Sequence, residues 1–270
     1  RYVNVKLEED KRRRDMDIEL AAHVQRSFYP TFCDFNGWDV AACFLPLSGV
    51  SGDLYDFYHT GTNLNGWSLF DISGHGMAAG LVGMLAKNII SRQFFIAKDK
   101  KLSLIMKDIN QNIISAKGDI ENYMTGILFR YKQKSSTLQL VNAGNPYPIY
   151  YKKDEPEPMI LQPKEGAVRG GVIGISEIHT VFSDFSVKVD DGDVLIYYTD
   201  GITEAENANE EQFKTSGIIE GINGNINGDA SDILARIMSH FNEFRGTTPL
   251  EDDITIVVMK KRPHKEEVIE

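Results

Sequence analysis

Between Trp38 and Ile72 the chain passes through three strand-like runs with no helix between them, and it then carries two helical patterns back to back before strands resume. The first runs are Trp38–Leu47, Gly52–Tyr58 and Trp67–Ile72, punctuated by turn residues such as Gly61, Asn65 and Gly66. A helix over 77–95 follows, with Ala78, Ala79, Gly80, Gly83 and Ala86 permitting close packing. A second spans 102–116 and gathers Leu104, Ile105, Ile109, Ile113 and Ile114 on one face. Strands return at 124–131, 137–142, 148–152, 180–189 and 194–198. An amphipathic helix over 231–244, capped by Asp229 or Ser231, precedes a last strand at 254–259. This order lacks the strict strand–helix alternation of a parallel doubly wound sheet. It predicts an α+β fold of antiparallel sheets with helices segregated to the outer faces. Residues 153–163 and the glycine-rich 166–174 read as loops, and the polar stretch 203–228 reads as irregular or mobile.

Residues 6–29 form one predicted helix, charged at first and then amphipathic through Ile18, Ala21, Val24, Gln25 and Phe28, and stopped by Pro30. Packing on its own domain and pairing with a second copy are both open to it. The expected organisation is a linker or regulatory helix over 1–30, one catalytic-size domain over 31–262 and a solvated tail over 263–270. The chain starts at Arg1 rather than Met, which suggests a piece of a longer protein. A net charge of −10 offers no basic field for a phosphate backbone, so nucleic acid is not an expected partner, and neither is an anionic membrane surface. Cys33 and Cys43, without a surrounding Cys/His cluster, fit a reducing compartment; a cytoplasmic location follows, with attachment to a membrane protein upstream left open.

Four aspartates are candidates for a hard-metal site. Asp53, Asp200 and Asp252 each lie beside glycine or another aspartate, and Asp71 three residues before Gly74, all at the end of a strand-like run. Hard divalent cations take oxygen ligands, and carboxylates converging from separate strand ends would supply them. A pair of such ions activates water and neutralises phosphoryl charge. An Asp beside a Gly is more often a turn residue than a ligand, and spacing alone does not bring the four together. His75, between Gly74 and Gly76, reads as structural or as part of a weak anion-holding turn.

Seven blocks in order resemble the SpoIIE-like (RsbU-type) bacterial branch of the PPM, or type 2C, protein phosphatases. They are Leu20–Pro30, Ser51-Gly52-Asp53-Leu54-Tyr55-Asp56-Phe57, Asp71-Ile72-Ser73-Gly74-His75-Gly76-Met77-Ala78-Ala79, Asn142-Ala143-Gly144-Asn145-Pro146-Tyr147-Pro148, Gly171-Val172-Ile173-Gly174-Ile175, Tyr198-Thr199-Asp200-Gly201-Ile202-Thr203-Glu204-Ala205 and Asp252-Asp253-Ile254-Thr255. The resemblance spans about residues 18–260. It departs from the family pattern at Ser51, Asn145 and Val172-Ile173, and it places Ser73 where eukaryotic relatives carry a His acting as general acid. The resemblance implies a sandwich of two antiparallel β-sheets flanked by pairs of α-helices. It implies two Mn²⁺ or Mg²⁺ ions, held by Asp53, Asp71, the backbone carbonyl of Ile72, Asp200 and Asp252, with Asp253 and His75 as further candidates. It implies hydrolysis of a phosphoserine or phosphothreonine by a metal-bridging hydroxide, on a STAS-domain regulator of a partner-switching pathway; a homodimer contact through the N-terminal helix is the expectation from that helix's own amphipathic pattern. A catalytically silent partner-binding switch module on the same fold is the alternative, and a hydrolase of small phosphate esters ranks third.

Overall fold

The computed structural model describes residues 2–30, 35–155, 157–162 and 170–263, with side chains described from Lys6 onward. The elements in order are α1 (Tyr2–Phe28), β1 (Trp38–Leu45), β2 (Leu54–Thr60), β3 (Asn63–Ile72), α2 (Met77–Ile96), α3 (Leu102–Lys117), β4 (Met124–Lys132), β5 (Thr137–Ala143), β6 (Ile149–Tyr151), β7 (Met159–Ile160), β8 (Asp184–Lys188), β9 (Val194–Tyr198), α4 (Asp200–Glu204), α5 (Lys214–Ile222), α6 (Ala230–Arg245) and β10 (Ile254–Lys261). They build two five-stranded sheets, β1-β10-β9-β6-β7 and β2-β3-β4-β5-β8, with every strand pair antiparallel.

Three apolar layers hold these sheets and helices together. Side chains alternate along each strand, so one strand feeds two layers. In β9, Leu195 and Tyr197 join Trp67, Phe129 and Met259 between the sheets, whereas Val194, Ile196 and Tyr198 join Ile218, Ile233 and Phe241 beneath α5 and α6. On the opposite face, Leu54, Phe70 and Ile72 meet Val82, Ile90, Ile105 and Ile109 of α2 and α3. The result is a helix–sheet–sheet–helix sandwich, the α+β architecture expected from the order of elements.

Several local expectations are corrected. Asn65 and Gly66 lie inside β3 rather than in its turn, and Gly66 is paired with Tyr58 and Arg130. The buried face of α3 uses Met106, while Leu104 is exposed. The segment 203–228 is largely ordered. It holds the end of α4 and all of α5, whose Ile218 and Ile222 are fully buried. The loop 153–163 contains the two-residue strand β7. In α1 the face that enters the domain is Ala22 and Gln25, both buried, whereas Ile18, Val24 and Phe28 remain exposed. Cys33 and the tail 264–270 lie outside the described residues.

Candidate metal-binding active site

Two aspartates come from each sheet. Asp53 immediately precedes β2 and Asp71 sits near the end of β3; Asp200 opens α4, separated from the end of β9 by Thr199 alone, and Asp252 shortly precedes β10. All four therefore stand at one edge of the sandwich, because antiparallel pairing returns the end of one strand beside the start of the next. Two glycines permit the close approach. A Cβ on Gly52 would stand 2.8 Å from the Ile72 carbonyl oxygen, and one on Gly201 would stand 2.0 Å from the Asp253 carbonyl oxygen. Only hydrogen at those positions lets the aspartate-bearing turns lie against each other.

Asp53 is the most enclosed of the four, with 2% of its surface exposed. Its Oδ2 accepts hydrogen bonds from the hydroxyls of Thr199 at 2.9 Å and Thr255 at 2.5 Å, both reaching across from the other sheet. The Thr199 hydroxyl oxygen in turn accepts from the Thr255 N–H at 3.0 Å. The Tyr29 hydroxyl donates to the Asp53 carbonyl, and the Gln25 side-chain amide clasps Ser51 in both directions, at 2.7 and 2.9 Å. The last turns of α1 are thus fastened to the loop that carries Asp53.

The electrostatics are those of an uncompensated acidic cluster. Burial, then the Asp53, Asp200 and Asp252 charges and a hydrogen bond to Asp200, raise the Asp71 carboxyl well above the usual range. Burial raises Asp53, and the Asp253 and Asp252 charges add to that against the two lowering threonine bonds. Burial likewise raises Asp252, with Asp200 and Asp253 adding and the nearby His75 opposing. Burial also raises Glu204, with Asp200 and Asp252 adding. Among the described residues, no lysine or arginine acts on these four carboxyls. Carboxylates crowded in this way resist ionising together, and a bound divalent cation relieves that repulsion. The donor set, all hard oxygen, fits Mg²⁺ or Mn²⁺. Among the described residues, no three or more His, Cys, Asp or Glu side chains are gathered as a ready-made metal cage. The carboxylates interact, then, without being closed around one point.

The neighbouring candidates separate by geometry. Asp253 spends both oxygens on the backbone, accepting from Leu47 N–H at 2.6 Å and Gly52 N–H at 2.8 Å, so it pins the Asp53 loop to β10. His75 is exposed and close enough to Asp252 to act on its charge. Asp56, in the same block as Asp53, is paired with Lys87 at 2.6 Å and turned to other work. Ser73 is held by three bonds: its N–H donates to the Tyr123 carbonyl, its hydroxyl accepts from Tyr123 N–H, and its carbonyl accepts from the Asn122 amide. Asn145 is fully buried and donates to the Pro146 and Tyr198 carbonyls, which fixes the 142–147 loop beside β9. The threonine pair, Asp253's staple and Glu204 were not assigned from sequence; the Thr beside Asp in both Thr199-Asp200 and Asp252-Asp253-Ile254-Thr255 was the available signal.

Comparison with known proteins agrees with this architecture. The SiaA-PP2C domain of Pseudomonas aeruginosa superposes with a TM-score of 0.77 at 20% identity, covering 93% of this chain and 98% of that one. The catalytic domain of the serine/threonine phosphatase PstP, solved in complex with two manganese ions, gives a TM-score of 0.57 at 16% identity over 84% of this chain and 99% of that one. The fold is therefore that of the PP2C-type phosphatase domains. The family model described as Stage II sporulation protein E (SpoIIE) matches residues 66–262, and the chain belongs to that family. Among curated relatives, phosphoserine phosphatase RsbU of Bacillus subtilis (strain 168) is 24% identical over 91% of this chain and 70% of its own length. Protein IcfG of Synechocystis sp. (strain ATCC 27184 / PCC 6803 / Kazusa) is 22% identical over 90% of this chain; the chain spans only 41% of its length.

Proposed function

We propose that this chain is a metal-dependent phosphoserine/phosphothreonine protein phosphatase acting on a STAS-domain regulator in a bacterial partner-switching pathway. The observation that carries the reading is the convergence of Asp53, Asp71, Asp200 and Asp252, two from each sheet, with Asp71 interacting with the other three and, among the described residues, no lysine or arginine acting on the raised carboxyls. Membership of a family whose relatives include a named phosphoserine phosphatase supports it.

In this reading Asp53, Asp71, Asp200, Asp252 and the Ile72 carbonyl hold two divalent ions, Mn²⁺ or Mg²⁺. When bound, these ions would activate water and offset the charge that develops on the phosphoryl oxygens. The chain's own residues set the stage for that. Thr199 and Thr255 hold one oxygen of Asp53 and favour its charged form. Asp253 fixes the loop that presents Asp53, and the Asn122–Ser73–Tyr123 bonds fix the segment after Asp71. His75 and Asp253 take supporting places rather than ligand places.

The carboxylates' lack of a closed arrangement favours a second reading, a catalytically silent partner-binding switch module on the same fold. The two separate on hydrolysis of a small aryl phosphate by the purified chain, with and without Mn²⁺. Metal-requiring turnover that disappears in Asp71→Ala supports the phosphatase. Absence of turnover at saturating metal rejects it for the isolated chain and moves the assignment to the switch module. The location proposed is the cytoplasm, and a homodimer through α1 is proposed from its exposed Ile18, Val24 and Phe28. No helix among the described residues is long and apolar enough to cross a membrane.

A further inference from the structure

A cavity of about 460 Å³ opens beside Asp200, lined by Pro146, Tyr147, Ile160 and Tyr198 and by Asp200 and Glu204. Four of its features bear on what it holds. Asp200 belongs both to the cavity and to the acidic cluster, so an occupant lies next to the reacting group. At about 3.3–3.6 Å per extended residue, it belongs within one or two positions of the phosphorylated residue. The apolar and aromatic lining suits a methylene stem, and the carboxylates suit a cationic head. Among the described residues no lysine, arginine or histidine lines it, so an acidic side chain meets repulsion there. Glu204 is exposed and makes no ion pair among the described residues.

The walls are held rather than loose. Tyr198 hydroxyl donates to the Tyr147 carbonyl at 3.3 Å and bonds the Thr215 hydroxyl at 3.0 Å, tying β9 to the 144–147 loop and to α5. Asn145 anchors the same loop to the Tyr198 carbonyl. Of the two carboxylates, Asp200 is the one committed to the metals in the reading above, which leaves Glu204 as the charge available to a ligand.

We infer that this cavity receives an arginine or lysine side chain of the phosphoprotein substrate, one or two residues from the phosphorylated residue, with Glu204 as its counter-charge. The inference rests on the phosphatase reading and names a specificity element for it. Electrostatic pairing in such a site selects among substrates more than it adds raw affinity.

The test uses fluorescein-labelled phosphoserine peptides with Arg placed in turn one or two residues to either side of the phosphoserine, each matched to peptides with Gln or Glu there. The quantity read is the ratio of kcat/KM for the Arg peptide over its Gln partner, which is internal to each variant and cancels any general loss of activity. The expected ratio at the best position is about tenfold in the wild-type chain, close to one in Glu204→Gln, and inverted in favour of the Glu peptide in Glu204→Lys. A wild-type ratio near one at all positions overturns the inference, as does a ratio that survives Glu204→Gln. If the wild-type chain hydrolyses none of the peptides, the phosphatase reading fails by itself, and fluorescence anisotropy of the same peptides decides the cavity. An Arg-over-Gln difference in Kd of about tenfold that Glu204→Gln removes sustains it, and equal Kd values overturn it.

Discussion

Thr199→Val probes the bond that joins the two halves of the acidic cluster. Valine keeps the shape of threonine and removes only the hydroxyl, at a position with no exposed surface. Two interactions go with it: the donation to Asp53 Oδ2 at 2.9 Å, and the acceptor that serves the Thr255 N–H at 3.0 Å. A hydrogen bond to a charged group contributes about 1.5–3 kcal/mol and a buried N–H left unpaired costs about 1–3 kcal/mol. Because Thr255 still holds the same Asp53 oxygen, the lower half of the sum applies, about 2–4 kcal/mol. Near 2.1 cal/mol/K per residue, a chain of 270 residues shifts its Tm by about 2 °C per kcal/mol, so the metal-free chain is expected to lose about 4–8 °C. The Thr199 bond also lowers the Asp53 carboxyl against the rise that burial imposes. Its loss leaves Asp53 more protonated at neutral pH and weakens Mn²⁺ binding. Thermal denaturation followed by circular dichroism, with a Mn²⁺ titration of the same samples, reads both effects. A Tm within 1 °C of wild type together with an unchanged Mn²⁺ midpoint would refute the role given to the threonine pair.

Two further outcomes follow from the same geometry. The raised Asp71 carboxyl keeps its proton in the folded chain over a range of pH where the unfolded chain, near its ordinary value of about 3.9, has released it; rising pH through that range therefore favours unfolding. Metal-free Asp71→Asn is expected to melt above wild type at pH 8 with a much smaller gap at pH 5, and a variant that melts below wild type at pH 8 contradicts this. Asp253→Ala strips the acceptors from the Leu47 and Gly52 N–H groups and is expected to cost about 2–5 kcal/mol in urea unfolding, with Asp253→Asn restoring part of it; an unchanged midpoint would contradict the staple.

The strands were legible as short apolar runs, as in Val194–Tyr198, and the long helices because their apolar residues repeat at the helical period, as in Leu102–Lys117. The helix at 214–222 was not, since Lys214-Thr215-Ser216-Gly217 opens it without a side-chain cap and Ile218, Ile219 and Ile222 stand in a window dominated by Asn, Gly and Glu. Its place is set by packing on α6, a tertiary contact no local pattern records. The positions of the four aspartates at strand ends were legible, whereas their convergence was not, because it depends on two sheets packing face to face. Adjacent Asp252 and Asp253 illustrate the limit. Sequence gives two equivalent carboxylates, and only the register of β10 turns one outward and the other onto the Leu47 and Gly52 backbone. Glu204 was quoted within a motif yet given no role, because the cavity it borders is completed by the unforeseen α5 through Thr215.

The acidic cluster as a two-metal centre is tested most directly by isothermal titration of the chain with Mn²⁺ beside Asp71→Ala. Asp71 is the carboxylate that interacts with the other three, so the expected result is two ions bound per wild-type chain and a loss of at least one in the variant. No binding by the wild-type chain, or the same stoichiometry and affinity in Asp71→Ala, would contradict the assignment of these four aspartates to a metal site.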